Sequence, residues 1–501
     1  MESIVILALD TGASGGKAIA GTLDLKENKL TTEELYRFPN FMIKLGSHLH
    51  WDILYIWNEI KNAIKIALRK YSSKVVSIGI DTWGVDFALL DEHDEIVGLP
   101  YSYRDPINDY AMNEVLSKIP KEVIYNRTGI QFTNINTLYR LYALVKINSP
   151  KLKIAKTFLM IPDLFNYWLT GIKVSEYTEA STTQFLDPKN REWCLDILEA
   201  LTIPTHIFPS IIDAGTILGK LNKNLIEELN ISKEVYENLV VVAPATHDTA
   251  SAIAAGPMIN EKAGYISSGT WNLVGIELNQ PLINNLAMEY NFANEGGAFR
   301  TITFLRNMQG MWILQEVKRI LREIEGKEYS YDELTKMASE TNNIKAFINV
   351  DDLRFLAPIN MIDEILRYLE NTKQQKPKNI KELIRVIINS LAFKHRYILE
   401  KAMKLKGEKL THVNIFGGGS RNYLLNQLTA NVLKIPVYAG PIEATSVGNI
   451  LIQAAGLGII KSPNELRKIV RNSFDIKLYE PKDERIYEDL YSDFISKLKL
   501  F

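Results

Sequence analysis

The sequence predicts a two-domain α/β protein, and three observations carry that reading. The chain has 501 residues, and single hydrophobic cores stop growing at about 250–300 residues, so two domains of similar size are the simplest arrangement. A strand, a glycine-rich turn and a second strand occur near residue 10 and again near residue 268. Short apolar runs alternate with helical periodicity through both halves, which points to strands layered with helices.

Taken in order, Ser3–Leu9 is a continuous apolar run ending at Asp10, followed by T-G-A-S-G-G-K. Ala18–Leu23 and Glu33–Phe38 complete a three-strand meander. Trp51–Lys70 places Leu54, Trp57, Ile60, Ile64, Ala67 and Leu68 at helical spacing, with Asp52 as the cap. Val75–Ile80 is a strand ending at Asp81, and Phe87–Leu90 with Glu95–Gly98 reads as a hairpin across D-E-H-D. Leu239–Ala243 leads into P-A-T-H-D-T-A-S-A at 244–252, and a mild helix follows at Ala250–Ala255. The domain boundary is expected here, giving residues 1–243 and 244–501. Gly264–Ser267 runs into the turn S-G-T-W-N and Leu273–Leu278 runs out of it. Thr301–Leu305 is a strand, and Met311–Ile324 and Ile380–Lys404 are helices. Thr411–Phe416 is a strand followed by G-G-G-S and the helix Tyr423–Leu433. Residues 328–379 and those after 460 carry no motif.

Composition narrows the function. There are 58 basic and 59 acidic residues, with 46% hydrophobic and 23% charged, the ordinary range for a globular protein. No charge run suits a nucleic-acid arm, so no nucleic-acid partner is expected. The single cysteine, Cys194, cannot form an intramolecular disulfide and is read as a packed or surface thiol. The N-terminus lacks a basic region before its short apolar run, and no stretch approaches the ~18 apolar residues of a membrane span. The expected compartment is the cytoplasm, with no membrane partner. The sequence does not give the oligomeric state.

The turn Gly12-Ala13-Ser14-Gly15-Gly16-Lys17-Ala18 is not a Walker A loop. Its glycines are too close, and Ala18 follows Lys17 where Ser or Thr is required. Its chemistry still suits a phosphate. Glycines let main-chain N–H groups approach, Ser14 adds a hydroxyl and Lys17 a charge. Asp10, at the strand end, would hold Mg2+ through water. Thr270 stands in the equivalent turn of the second half, so two such turns would clamp a polyphosphate. Two plain hairpin turns are the competing reading. Gly417-Gly418-Gly419-Ser420 opens a helix, a placement that suits a nucleotide or an ordinary turn. Asp248, among small residues, reads either as a helix cap or as a group with chemistry to perform. His48 and His50 lack the further ligands of a metal site. Tyr101, Tyr103, Arg104 and Asp105 suit either a sugar or a packed hairpin end.

These residues line up over most of the chain, from Ile4 to Gly456. G-I-D-T-W-G-V-D-F (79–87), G-L-P-Y-S-Y-R-D (98–105), E-Y-T-E-A-S-T-T-Q (176–184), H-D-T-A-S-A (247–252), S-S-G-T-W (267–271), N-E-G-G (294–297) and F-G-G-G-S-R-N (416–422) resemble the FGGY carbohydrate kinases. That resemblance implies two ribonuclease-H-like domains of the actin/hexokinase type around a central cleft. At 82–84, xylulose kinases carry Met-His-Gly and glycerol kinases Arg-Glu-Thr around the same place. Trp83-Gly84 with Val85-Asp86 resembles the branch that phosphorylates L-rhamnulose at its 1-hydroxyl.

The resemblance implies that Asp248 is the general base. Gly84 from the facing domain, His247, Asp248 and Thr249 would line the sugar site. Ala13, Ser14, Gly15, Gly16 and Lys17 would form the first phosphate loop, with Thr270, Asn307, Gln315 and Gly418 on the nucleotide. ATP and Mg2+ are the implied co-substrate and metal. Asp248 would also start the following helix, whose positive end favours an ionised carboxylate. Two departures stand out. A-S-G-G-K replaces A-S-S-G-R, losing the bidentate fork of arginine, and Trp271-Asn272 replaces Trp-Ser, a change read as neutral. A kinase of another ketose, such as L-fuculose or L-xylulose, and a non-catalytic ATP and sugar sensor remain the alternatives.

Overall fold

Ser3–Gly12 (β1) carries the continuous apolar run Ile4–Leu9 and is buried from Ile4 to Thr11. It pairs antiparallel with β2 (Gly15–Asp24) on one side and parallel with β4 (Val75–Thr82) on the other. A strand covered on both faces reads as a continuous apolar run rather than an alternation. β3 (Lys29–Pro39) completes the meander beside β2. In the computed structural model, which describes residues 3–341, 345–356, 358–482 and 484–500, the chain divides into two compact units.

The first unit takes residues through Ala255, Glu277–Phe304 and Ala444–Ser473. Its six-stranded sheet adds β5 (Thr216–Gly219) and β6 (Val240–Ala243), in the order β5-β6-β4-β1-β2-β3. Helix α1 (Ile53–Tyr71) is capped as predicted, the Asp52 side chain accepting from Tyr55 N. Its buried face is Ile53, Ile56, Ile60, Ala63, Ile64 and Ala67, whereas Leu54 is exposed. Phe87–Leu90 pairs along its length with Thr157–Met160, and the predicted partner segment turns back beside it through the antiparallel Leu90–Ile96 bridge, with Val97 N donating to the Leu89 carbonyl at 2.8 Å and Asp91 N to the Glu95 carbonyl at 3.0 Å. Two short helices matter below, α2 (Tyr177–Ala180) and α3 (Asp248–Ala254).

The second unit takes Gly256–Ile276, Leu305–Glu443 and Phe474 onward. Its sheet uses β7 (Ala263–Ser268), β8 (Trp271–Leu278), β9 (Ile302–Gln309), β10 (His412–Phe416), β11 (Val437–Ala439) and, last in sequence, β12 (Lys477–Tyr479), in the order β9-β8-β7-β10-β11-β12. Helix α4 (Trp312–Glu325) follows β9 directly. Helix α5 (Ile380–Lys406) ends at Gly407 in the left-handed conformation, which glycine adopts at little cost. Helix α6 (Tyr423–Leu433) has the bounds the sequence predicts. The motif-free stretches hold helices Tyr331–Ser339, Met361–Asn371, Pro463–Ser473 and Glu484–Leu498.

Helix α7 (Ala444–Gly456) belongs to the first unit. It packs on α3 so closely that a Cβ on Gly448 would stand 1.8 Å from the Ser251 carbonyl oxygen. No single cut near 243 separates the units, and Asp248, expected at the head of the C-terminal half, lies in the first.

Candidate active site

The first unit gathers a line of charge across three adjacent strands. Asp10 on β1 opposes Lys17 on β2 and Asp81 on β4. Lys17 Nζ lies 3.2 Å from Asp10 Oδ2, and the Ser446 hydroxyl donates to the same oxygen at 2.9 Å. Asp81 is fully buried and accepts from Asn449 Nδ2. Burial, followed by the charge of Asp10, holds its carboxyl well above the usual range. Ala13–Lys17 spans the β1–β2 turn, closed by the Gly12–Gly15 pair. An added Cβ on Gly16 would stand 2.1 Å from the Phe38 ring and one on Gly15 3.0 Å from the Phe38 carbonyl oxygen, so packing disfavours a side chain at both, most strongly at Gly16.

Asp248 is the first residue of α3, not its cap. The cap is His247, which makes no side-chain capping bond. The Asp248 side chain is 30% exposed. Its desolvated surroundings, then the charge of Asp10, push its carboxyl up to about 7, against bonds from Thr249. His247 Nε2 lies 3.6 Å from Asp248 Oδ1, and its Nδ1 lies 3.6 Å from Glu295 Oε2. Burial keeps the imidazole below its ordinary value despite Glu295, so it is neutral at pH 7. Gly84 lies against this ring, since a Cβ there would approach His247 Nε2 to 3.2 Å. Gly84, His247, Asp248 and Thr249 therefore share one unit. Gly84 does not come from a facing domain, because the main chain before α3 pairs with the end of β4 (Thr82 with His247).

Beneath Gly84, the buried carboxylate of Asp86 accepts from the Trp51 and Trp83 indoles at 2.5 and 2.8 Å, from Tyr103 N at 3.2 Å and from Arg140. Val85 has φ +68, a costly conformation for a β-branched residue. It is held by Thr182 Oγ1, which accepts from its N–H at 3.0 Å, and by the Thr137 hydroxyl, which donates to its carbonyl at 2.7 Å. Glu179 is buried with neither carboxylate oxygen hydrogen-bonded. Burial first, then Asp163 and Asp248, hold it well above the carboxylate range.

The second unit assembles the other expected residues around the β7–β8 turn. The Thr270 carbonyl accepts from Gly310 N and Trp312 N, and the Gly269 carbonyl from Met311 N, so the turn is tied to the start of α4. Gln315 lies in that first turn. Asn307 stands near the end of β9, three residues before Gly310. Gly417, at φ +83, and Gly419 press against Ser268, where added Cβ atoms would stand 2.9 Å from its carbonyl oxygen and 2.0 Å from its hydroxyl. Gly418 is exposed with open space where a Cβ would go. Packing explains its two neighbours, and Gly418 alone of the three has open space where a side chain would go.

Asn272 is tied into a buried hydrogen-bonded chain. Ser268 Oγ donates to its Oδ1 at 3.1 Å, its Nδ2 bonds His395 Nε2 at 2.9 Å, and His395 Nδ1 lies 3.3 Å from Thr429 Oγ1. Burial pushes His395 down to about 3, so this neutral chain supports the turn. Sequence reasoning missed His395, Glu295, Arg140 and Glu176. Glu295 and Glu176 sit inside quoted motifs, which was the available signal. Among the described residues, no cluster of three His, Cys, Asp or Glu could hold a metal, and no helix is long and apolar enough to cross a membrane. Cys194 is buried and free, its thiol pushed up to about 12 by burial.

The chain is 42% identical over 477 residues to the rhamnulokinase of Halalkalibacterium halodurans, covering 95% of this chain and 99% of that one. It is 38% identical to the rhamnulokinase of Bacillus subtilis, covering 96% of each. Among solved structures it resembles a gluconate kinase from Lactobacillus acidophilus, with a TM-score of 0.82 at 16% identity over 99% of this chain and 97% of that one. It also resembles a xylulose kinase from the same organism, with a TM-score of 0.79 at 16% identity over 98% and 97%. The structural likenesses establish the fold, two α/β units of the actin/hexokinase type. Models of the N-terminal and C-terminal domains of the FGGY family of carbohydrate kinases match residues 5–254 and 264–457, so the chain belongs to that family of sugar-phosphorylating enzymes.

Proposed function

We propose that this protein transfers the γ-phosphoryl group of ATP to the 1-hydroxyl of L-rhamnulose, giving L-rhamnulose 1-phosphate and ADP. The observation that carries the reading is the 42% identity to a rhamnulokinase over 95% of this chain; the Asp248 carboxyl, pushed up to about 7 by burial and Asp10 and lying 3.6 Å from His247 Nε2, suits the base that the transfer needs. A general base works best when its pKa lies near the operating pH, and a well-placed one adds ~10²–10⁴ in rate. The sugar 1-oxygen attacks the γ-phosphorus and its proton passes to Asp248. The new P–O bond forms as the bond to the β-phosphate oxygen breaks, and ADP leaves with that electron pair. Asp248 at the start of α3 faces the positive helix end, which favours the ionised base at neutral pH.

In this reading Gly84, His247 and Thr249 hold the sugar beside Asp248. The main chain of Ala13–Gly16 with Ser14 and Lys17 takes phosphate oxygens, and Thr270, Asn307, Gln315 and Gly418 take the nucleotide. Asp10 and Asp81, adjacent carboxylates on neighbouring strands with Asp81 Oδ1 unpartnered, are an oxygen donor set that fits Mg2+ held mainly through water. The ion would neutralise charge on the phosphates. The 42% identity to a rhamnulokinase supports L-rhamnulose as the acceptor. Dependence on ATP supports a cytoplasmic setting.

A coupled ADP-release assay with MgATP and L-rhamnulose, L-fuculose, L-xylulose, D-xylulose or glycerol tests the reading. We expect kcat/KM to be highest for L-rhamnulose by a factor worth at least ~2 kcal/mol. A higher value for another sugar would refute the acceptor. Absence of stimulation by any of them would favour a non-catalytic sensor.

A further inference from the structure

Glu176 is a fully buried carboxylate with no cation within ion-pair distance among the described residues. Such a group is tolerated only when hydrogen bonds replace its water. Its donors come from two chain segments about seventy residues apart. From its own segment, Thr178 N donates at 3.0 Å, Thr178 Oγ1 at 2.5 Å and Glu179 N at 3.4 Å. From the segment leading into α3, Thr246 N donates at 3.0 Å and Thr246 Oγ1 at 2.8 Å, both to Oε2. His247 N in turn donates to Thr178 Oγ1 at 3.2 Å. On its other side, the Thr246 carbonyl accepts from Thr82 N at 2.8 Å.

Helix α3 therefore begins without a side-chain cap at His247, and its approach is fixed from outside by β4 and by Glu176. Asp248 is two residues beyond the clamped Thr246. We propose that Glu176 is a positioning residue for phosphoryl transfer: by holding the main chain of 246–247 it sets where the Asp248 carboxyl and the His247 ring stand. This rests on the reading of Asp248 as the base. Misplacing a reacting group by about 1 Å can cost about a hundredfold, so the clamp acts on the chemical step. Of the expected nucleotide residues, Ala13–Lys17 lie in the same unit as Glu176 and Thr270, Asn307, Gln315 and Gly418 lie in the other, and none of them belongs to the 176–179 or 246–247 segments that the clamp joins.

The test is Glu176→Gln, which keeps the size but turns an amide N–H₂ toward N–H and O–H donors. We expect kcat with L-rhamnulose to fall about ten- to a hundredfold, KM for ATP to stay within about twofold, and the acid limb of the kcat–pH profile to move as the surroundings of Asp248 change. A folded Glu176→Gln enzyme with parental kcat and pH profile overturns the proposal. If that variant does not fold, Thr246→Val decides. Loss of kcat at unchanged Tm, restored in Thr246→Ser, supports the clamp, and parental kcat in Thr246→Val overturns it. Asp248→Asn is assayed in parallel. If it keeps turnover, the base reading itself fails. If it is inactive while Glu176→Gln behaves as the parent, only the clamp fails.

Discussion

Gly448 on α7 and Ser251 on α3 meet main chain to main chain, with room for hydrogen but not for a methyl group: a Cβ at 448 would lie 1.8 Å from the Ser251 carbonyl oxygen. This contact seats the helix that begins with Asp248. Overpacking a tight contact typically costs ~1–3 kcal/mol. Gly448→Ala is therefore expected to lower the stability of the protein by about that much in denaturant titration. It should also lower kcat, because the main-chain shift is passed to the residue at the start of α3.

The acid limb of activity reports on Asp248. Its carboxyl is raised to about 7 by burial and then by Asp10, so the base form is lost as pH falls through that value. The kcat/KM for the sugar should rise with pH and level off above about 7. Asp10→Asn removes the second cause and should shift the limb to lower pH, whatever it does to the maximum rate. Because the native pKa lies above that of the unfolded chain, this group binds more protons in the folded state between about pH 4 and 7. Its contribution to stability therefore declines as pH rises through that window. A pH–rate profile of parent and Asp10→Asn checks the direction.

The three glycines after β10 should behave differently. Gly418 faces open space, while a Cβ on Gly419 would meet the Ser268 hydroxyl at 2.0 Å. Gly418→Ala is expected to leave Tm unchanged and raise KM for ATP about tenfold, the loss of ~1.4 kcal/mol of binding. Gly419→Ala should lower stability by ~1–3 kcal/mol. Thermal melts and ATP titrations separate the two.

Local patterns in the sequence carried much of this molecule. The apolar run of β1, the Asp52 cap of α1 and the bounds of α6 were all legible, because each depends on neighbours within a turn or on one buried strand. The motifs containing Asp248, Gly84 and Gly418 were legible too. Leu54 was misjudged because helical spacing fixes a stripe but not which edge of it the sheet covers. The interleaving of the units was hidden, since α7 joins α3 through a contact between residues nearly two hundred positions apart. Glu176, Glu295, Arg140 and His395 were hidden for the same reason. Their partners lie on other elements, and a lone buried polar residue leaves no periodicity to read.

The central claim is that Asp248 removes the proton from the acceptor hydroxyl. The most direct measurement is turnover of Asp248→Asn with L-rhamnulose and MgATP, alongside its ATP affinity by calorimetry. The account predicts a loss of at least ~10²-fold in kcat with ATP affinity close to that of the parent. Turnover near the parental rate in a correctly folded Asp248→Asn enzyme would contradict it.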